Sequence, residues 1–201
     1  YVIYRPVIRV WPVTLGIMAS AVPTSTFHIE NKGLAGPPWL DWQASTRVGE
    51  LTLVCTPARH FSGRFLSRNN TLWASWVLAG SDGRVFFSGD TGYFDGYAAL
   101  GEAHGPFDVS LMAVGAYDAA WRAIHLDPEE AVQAATELGG GVVIPIHWCT
   151  FTLAPHPWAE PIERLLTAAD AAMVTAYVPE VGERVTPGDG LPDQTRWWSP
   201  A

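Results

Sequence analysis

Positive charge is scarce in this chain. Twelve lysines and arginines stand against twenty aspartates and glutamates, a formal charge of −8 at pH 7, so there is no basic stripe to track a phosphate backbone and no electrostatic support for nucleic-acid binding. Cysteine is almost absent. Cys55 and Cys149 are too few for a disulfide framework in 201 residues, and one pair in a chain of this length is compatible with a reducing cytoplasm, where the protein is expected. Long apolar runs are missing as well, since no segment reaches the roughly 18 residues that a membrane span needs. Arg5 and Arg9 ahead of an apolar stretch and Ala19-Ser20-Ala21 imitate a secretory signal, but the stretch is short and Pro12 interrupts it, so a signal is not expected.

What is present is a globular composition. With 48% hydrophobic and 16% charged residues, the chain has material for a sizeable core, and residues 1–201 are read as a single domain with little disorder. Ten tryptophans stand out, because an apolar body with a polar tip suits grooves, interfaces and lipid-facing surfaces as well as cores.

Residues 1–40 carry Gly and Pro without a clear period and are read as a strand or two plus loop. From Leu51 the punctuation is regular. "LTLVCT" predicts a strand stopped by Pro57, and "LWASWVLAG" a second. "SDGR" predicts a tight turn into "VFFSG", closing an antiparallel hairpin. "FDGYAALGEAHG" predicts a short helix ended by Gly105, and "FDVSLMAVG" a further strand. In "HLDPEEAVQAATELGGG", Asp127 suits an N-cap, Pro128 the first helical position and Glu130 a capping box, with glycines closing the helix. "VVIPIH" follows as a strand, "EPIERLLTAADAA" as a helix, and the end as a short strand and tail. Hairpins first, then alternating strands and helices, predict an α/β fold with a mixed sheet covered by helices.

Three polar residues then gain meaning, because each follows a strand and therefore sits at the sheet's rim. His60 follows "LTLVCT", Asp90 follows "VFFSG", and His147 ends "VVIPI". Imidazoles and a carboxylate converging from separate strands are what a zinc or iron centre requires. Singly, each has an ordinary explanation, such as a loop hydrogen bond for a rim histidine or a turn for Asp in "SGDTG".

The blocks "TPARHFSGR", "TLWASWVL", "FFSGDTGYF", "GPFDVSLMAVGAY", "HLDPEEAV" and "PIHWCTFTLAPHPWAEPIERL" occur in an order that resembles metallo-β-lactamase-fold hydrolases of the N-acylphosphatidylethanolamine-hydrolysing phospholipase D kind. The resemblance covers residues 41 to 168, and residues 41–180 are taken as the matching part. It implies an αββα sandwich with two zinc ions at one rim, His60 on the first metal, Asp90 bridging both, and His147 on the second. It places His125 near the substrate phosphate as a catalytic residue beside Asp90. His125 also precedes a helix N-terminus, whose dipole favours an anion. Trp73, Trp76, Tyr117 and Trp148 are the candidates to wall a groove for acyl chains, or else fill the core, with Trp73 and Trp76 expected on opposite faces of their strand. His104 and His156 are read as structural or solvent-facing.

The sequence also departs from that pattern. Such enzymes carry a His-x-His-x-Asp-His loop ahead of the region around Asp41, and here the only histidine before His60 is His28. Each of two ions would keep only two protein ligands, with Asp90 counted twice, whereas a catalytic zinc keeps three plus water. Residues 1–40 are therefore expected to be divergent or truncated and the sandwich incomplete on its N-terminal side, which leaves the activity of this chain alone open. Cys149 stands where the family has Gly. On an extended segment, His-x-Cys would point both side chains one way toward a metal, although a small buried thiol is the commoner outcome. The resemblance implies a phospholipid substrate and peripheral contact with a bilayer, with a homodimer among the allowed assemblies. The competing readings are a thioester or lactam hydrolase of the same fold, and a non-catalytic relic that binds lipid or a partner through its tryptophans.

Overall fold

The computed structural model describes residues 7–10, 13–16, 40–64, 67–69, 72–186 and 189–199. His28 and most of the signal-like segment lie outside them. Two small antiparallel pairs stand apart: β1 (Val7–Val10) with β2 (Val13–Gly16), and β5 (Gly63–Arg64) with β6 (Ser67–Arg68). The principal sheet has six strands, β3 (Ser45–Val48), β4 (Leu51–Pro57), β7 (Ala74–Gly80), β8 (Gly83–Phe87), β9 (Val109–Ala113) and β10 (Val142–Ile146), in the order β10-β9-β8-β7-β4-β3. Strands β8, β9 and β10 are mutually parallel, and the others pair antiparallel. The expected hairpin forms with Ser81 and Asp82 as its two-residue turn, because Gly80 pairs with Gly83.

This topology makes a rim. Strand β4 is antiparallel to β7, which is antiparallel to β8, so β4 runs in the same direction as β8, β9 and β10. Four strands thus deliver their carboxyl ends to one edge, and the residues that follow them meet there.

The alternation of side chains along the strands builds two cores. One face carries Val77, Phe86, Met112 and Val143 against three helices, α1 (Tyr97–His104), α2 (Pro128–Glu137) and α3 (Glu160–Ala171). Phe86 is fully buried, with its ring 5.6 Å from Phe107 and 6.4 Å from Tyr97. The other face carries a row in continuous register, Cys55, Trp76, Phe87 and Leu111, joined by Leu53, Leu78 and Val109. One helical layer and one sheet of the αββα architecture are therefore formed by the described residues, with apolar side chains on both faces of the sheet.

Helix α2 forms as its sequence predicts. Asp127 accepts from the Glu130 N–H at 2.8 Å and Glu130 accepts from the Asp127 N–H at 3.2 Å, with Pro128 in the first turn. The cap carboxylates close the N-terminus, with Arg122 3.3 Å from Asp127. Strand β7 begins at Ala74, so Trp73 precedes it and does not alternate with Trp76. After α3 the described residues form only an isolated bridge, Ala176 to Val143, in place of a terminal strand. No helix among the described residues is long and apolar enough to cross a membrane.

Candidate metal centre

The loops leaving the strands are tied together by backbone before any side chain is considered. The Gly92 N–H donates to the Arg59 carbonyl at 2.8 Å, the Arg59 N–H donates to Thr91 Oγ1 at 2.9 Å, and the Leu126 N–H donates to the Thr91 carbonyl at 2.8 Å. Thr91 therefore joins the segments of His60, Asp90 and His125. Gly92 is required for this approach, since a Cβ there would fall 2.5 Å from the Ala123 carbonyl carbon. Beneath the rim, Ser75, Ser88 and Thr56 form a buried polar row, with Ser75 Oγ donating to the Ser88 carbonyl at 2.7 Å and Ser88 Oγ accepting the Ala113 N–H at 2.9 Å.

Four side chains converge above that row. His125 Nε2 lies 3.1 Å and His147 Nε2 3.3 Å from Asp90 Oδ1, while His60 Nε2 lies 3.8 Å from Asp90 Oδ2. The three residues expected at a metal, His60, Asp90 and His147, thus share one place with His125. The rings of His60 and His125 stack at 5.6 Å, and those of His125 and His147 are 5.0 Å apart. Each imidazole is turned inward by its other nitrogen: Nδ1 of His60 meets the Phe61 carbonyl at 2.8 Å, Nδ1 of His125 the Ala116 carbonyl at 2.5 Å, and Nδ1 of His147 the Gly115 carbonyl at 3.3 Å. A proton on Nδ1 leaves the Nε2 lone pair for a cation, the arrangement that metal-ligating histidines use.

The residues fit a metal ion. Asp90 Oδ1 is buried and receives no aligned hydrogen bond, although two imidazole nitrogens stand within 3.3 Å of it. Lone pairs converging on a buried carboxylate oxygen are costly unless a cation lies among them. The separations suit this, because ligand atoms 2.0–2.1 Å from a tetrahedral zinc are about 3.3 Å from one another. Donor atoms of His60, Asp90 and His125 all lie within 4.8 Å of one another, and His147 reaches the same Asp90 oxygen. A second ion with a full protein shell would need donors beyond these.

Electrostatics follow the same pattern. Burial works against charge on Asp90, but the contacts from His125 and His147 override it and hold the carboxyl far below the usual range. Burial also works against charge on His147, and there the Asp90 carboxylate prevails and raises the imidazole's pKa. For His60, whose side chain is only 2% exposed, burial wins and lowers the pKa in spite of Asp90. The centre therefore holds one histidine neutral and favours a proton on another.

His147 adopts φ +61° and Cys149 φ +57°, so the expected extended His-x-Cys segment is in fact a turn with two left-handed residues. Left-handed backbone explains why Gly suits position 149. Among the described residues the group whose donor atoms could share a metal ion is His60, Asp90 and His125, without Cys149. The aromatic candidates separate. Trp148 packs with Trp158 and Trp197 at 5.5 and 5.4 Å, directly after His147. The Tyr117 hydroxyl donates to Glu160 at 2.6 Å. Trp73 flanks the His60 loop, its indole donating to the Ala58 carbonyl at 3.0 Å. Trp76 lies in the second-face core, 8% exposed. The backbone carbonyls of Gly115 and Ala116 escaped the sequence reading; only their position just past strand β9, at the same rim, could have signalled them.

Fold and rim cluster together define a domain of the metallo-β-lactamase type. The chain matches the beta-lactamase superfamily domain over residues 10–148 and belongs to that family. It is 56% identical over 162 residues to an uncharacterized protein of Mycobacterium tuberculosis, an alignment covering 79% of this chain and 43% of that protein. It is 36% identical over 141 residues to N-acyl-phosphatidylethanolamine-hydrolyzing phospholipase D 1 of Caenorhabditis elegans, covering 66% of this chain and 40% of that enzyme. The chain thus spans less than half the length of these relatives. Among solved structures, Igni18, a metallo hydrolase from Ignicoccus hospitalis, superposes with a TM-score of 0.57 at 24% identity, covering 73% of this chain and 58% of that one.

Proposed function

We propose that the protein is a zinc-dependent phosphodiesterase that cleaves N-acylphosphatidylethanolamine-type phospholipids to phosphatidic acid and an N-acylethanolamine. The observation that carries this reading is the union of the rim cluster with the apolar loop that leaves it. Phe151 and Leu153 are 61% exposed and Trp158 is 50% exposed, all on the segment that follows His147, where acyl chains or a bilayer surface would meet them. The similarity to the nematode phospholipase supports the same substrate class.

In this reading His60, Asp90 and His125 hold the ion, which supplies Lewis acidity and a water of lowered pKa. The resemblance gives His147 to a metal and His125 to the phosphate; in this reading His125 joins the donor group of His60 and Asp90, and His147 Nε2, 3.3 Å from Asp90 Oδ1, is the proton donor. His147 would pass a proton from Nε2 to the alkoxide oxygen that leaves phosphorus. Asp90 orients that imidazole through Oδ1, 3.3 Å from Nε2. Trp148, Phe151 and Leu153 exclude water from the acyl side. The protein works at the membrane surface, on the cytoplasmic side, as a monomer or homodimer.

The test is turnover of N-acylphosphatidylethanolamine vesicles by zinc-loaded protein, beside a lactam and a thioester. Release of phosphatidic acid that stops with chelator supports the reading. Turnover of the lactam or thioester alone points to another hydrolase of the fold, and binding to vesicles without turnover or zinc dependence points to a non-catalytic protein.

A further inference from the structure

The two imidazoles that flank Asp90 Oδ1 are oriented by consecutive peptide carbonyls. Gly115 accepts from His147 Nδ1 at 3.3 Å, and Ala116 accepts from His125 Nδ1 at 2.5 Å. The Gly115–Ala116 dipeptide sits one residue beyond strand β9 and is held under close constraint. A Cβ on Gly115 would fall 2.3 Å from the His147 carbonyl oxygen, so only glycine permits the approach. Ala116 adopts φ +59°, a left-handed conformation that costs a non-glycine residue about 1–2 kcal/mol, and its carbonyl also accepts from the Trp121 indole at 2.8 Å. Something must keep this dipeptide in place.

One side chain does so. The Ala116 N–H donates to His156 Nε2 at 3.0 Å. His156 Nδ1 lies 3.2 Å from the Pro157 carbonyl, so its proton goes there and Nε2 is left as an acceptor. The His156 ring is stacked 4.5 Å from Tyr117, with 16° between the planes. The Tyr117 hydroxyl is bonded to Glu160, and the Arg164 guanidinium lies 4.8 Å from the Tyr117 ring centre. Arg164 is in turn bonded to Glu129 in helix α2. His156 therefore stands in a braced position, with its one free lone pair spent on the Ala116 peptide.

We infer that His156 is a positioning residue of the metal centre: by accepting the Ala116 N–H it locks the left-handed turn whose two carbonyls aim His125 and His147. The inference rests on the metal-site reading, but its mechanical part does not need the ion. Residues that orient metal ligands from outside the coordination shell are worth about 10–100-fold in metal affinity. That range is the loss expected when the acceptor is removed.

The experiment compares His156→Gln, whose side-chain oxygen reaches close to the Nε2 position, with His156→Asn, which falls short, and His156→Ala. Zinc affinity is measured by competition with a chromophoric chelator, and the imidazole ¹⁵N and Nδ1–H resonances of His125 and His147 are recorded in metal-free protein. His156→Asn and His156→Ala are expected to lose affinity by about 10–100-fold and to lose the Nδ1–H signals of both histidines, while His156→Gln retains both. If all three bind zinc as the parent does with unchanged imidazole signals, the inference is overturned. It is equally overturned if Gln fails as badly as Asn, since the ring's stacking would then be the whole of its role. Should the alanine variant not fold, the Gln and Asn pair decides alone. If the parent binds no zinc, the metal-site reading fails, and the imidazole signals still report whether His156 holds the turn.

Discussion

Replacing Asp90 by Asn keeps the shape of the centre and removes its only carboxylate. In metal-free protein the Asp90 side chain is 25% exposed and its Oδ1 faces two imidazole nitrogens at 3.1 and 3.3 Å. Contacts to charged groups contribute about 1.5–3 kcal/mol each, and because neither is well aligned the lower end applies to both, so the variant should lose about 3 kcal/mol. For a chain of this size that lowers the melting temperature by about 6–12 °C. The pH dependence has a definite sign. Asp90 is held ionised, so its contribution is present above the unfolded value of about 3.9 and is lost as the pH falls toward its much lower folded value. His147 is held protonated, so its contribution is complete below about 6.5 and is lost as the pH rises through its higher folded value. Burial lowers the pKa of His60, so it opposes folding below about 6.5, and more so in the variant, which lacks the Asp90 charge that offsets burial. The deficit of Asp90→Asn is therefore largest between about pH 4 and 6.5 and shrinks toward pH 9. Thermal melts of chelator-treated parent and variant at the two ends measure it. In the same pair of proteins, zinc affinity should fall by more than about 100-fold, since loss of a ligand exceeds loss of an outer-shell contact. Equal deficits at both pH values, or undiminished zinc binding, would refute the reasoning.

Zinc binding should tighten as the pH rises, because the imidazole nitrogens that hold the ion must be unprotonated to do so; calorimetry in buffers of different ionisation enthalpy counts the protons released. Gly115→Ala, which would drive a Cβ to 2.3 Å from the His147 oxygen, should destabilise by about 2 kcal/mol or more and weaken zinc binding. Cys149→Gly should instead leave stability unchanged or raise it by up to about 1 kcal/mol, since glycine accepts φ +57° freely; denaturant titration distinguishes the two. Phe86→Ala removes a fully buried ring between sheet and helices and should cost about 3–5 kcal/mol without changing zinc affinity in the folded protein. Its urea midpoint and a chelator competition at low temperature check both halves.

The elements most legible in the sequence were those with local chemistry. Helix α2 announced itself through Asp127, Pro128 and Glu130, because a capping box is a contact between residues three apart. Strands β4, β7, β8, β9 and β10 were legible as apolar runs bounded by Gly, Pro and turns, and the positions of His60, Asp90 and His147 just beyond them led to the rim. What escaped was set by tertiary backbone geometry. Nothing local in "GAY" shows that the Gly115 and Ala116 carbonyls would each meet an imidazole, and "HWC" reads as extended until both its ends prove left-handed. The same local carboxylates that made α2 easy to find close its N-terminus.

The central claim is that His60, Asp90 and His125, with His147 beside them, hold a metal ion. X-ray absorption at the zinc edge of stoichiometrically loaded protein tests it most directly. The account predicts imidazole nitrogen and carboxylate oxygen scatterers at about 2.0–2.2 Å, with the multiple-scattering pattern of histidine rings. A sulfur shell at about 2.3 Å would place the ion on Cys149 instead, and a shell of oxygen alone would mean that the rim histidines bind no metal.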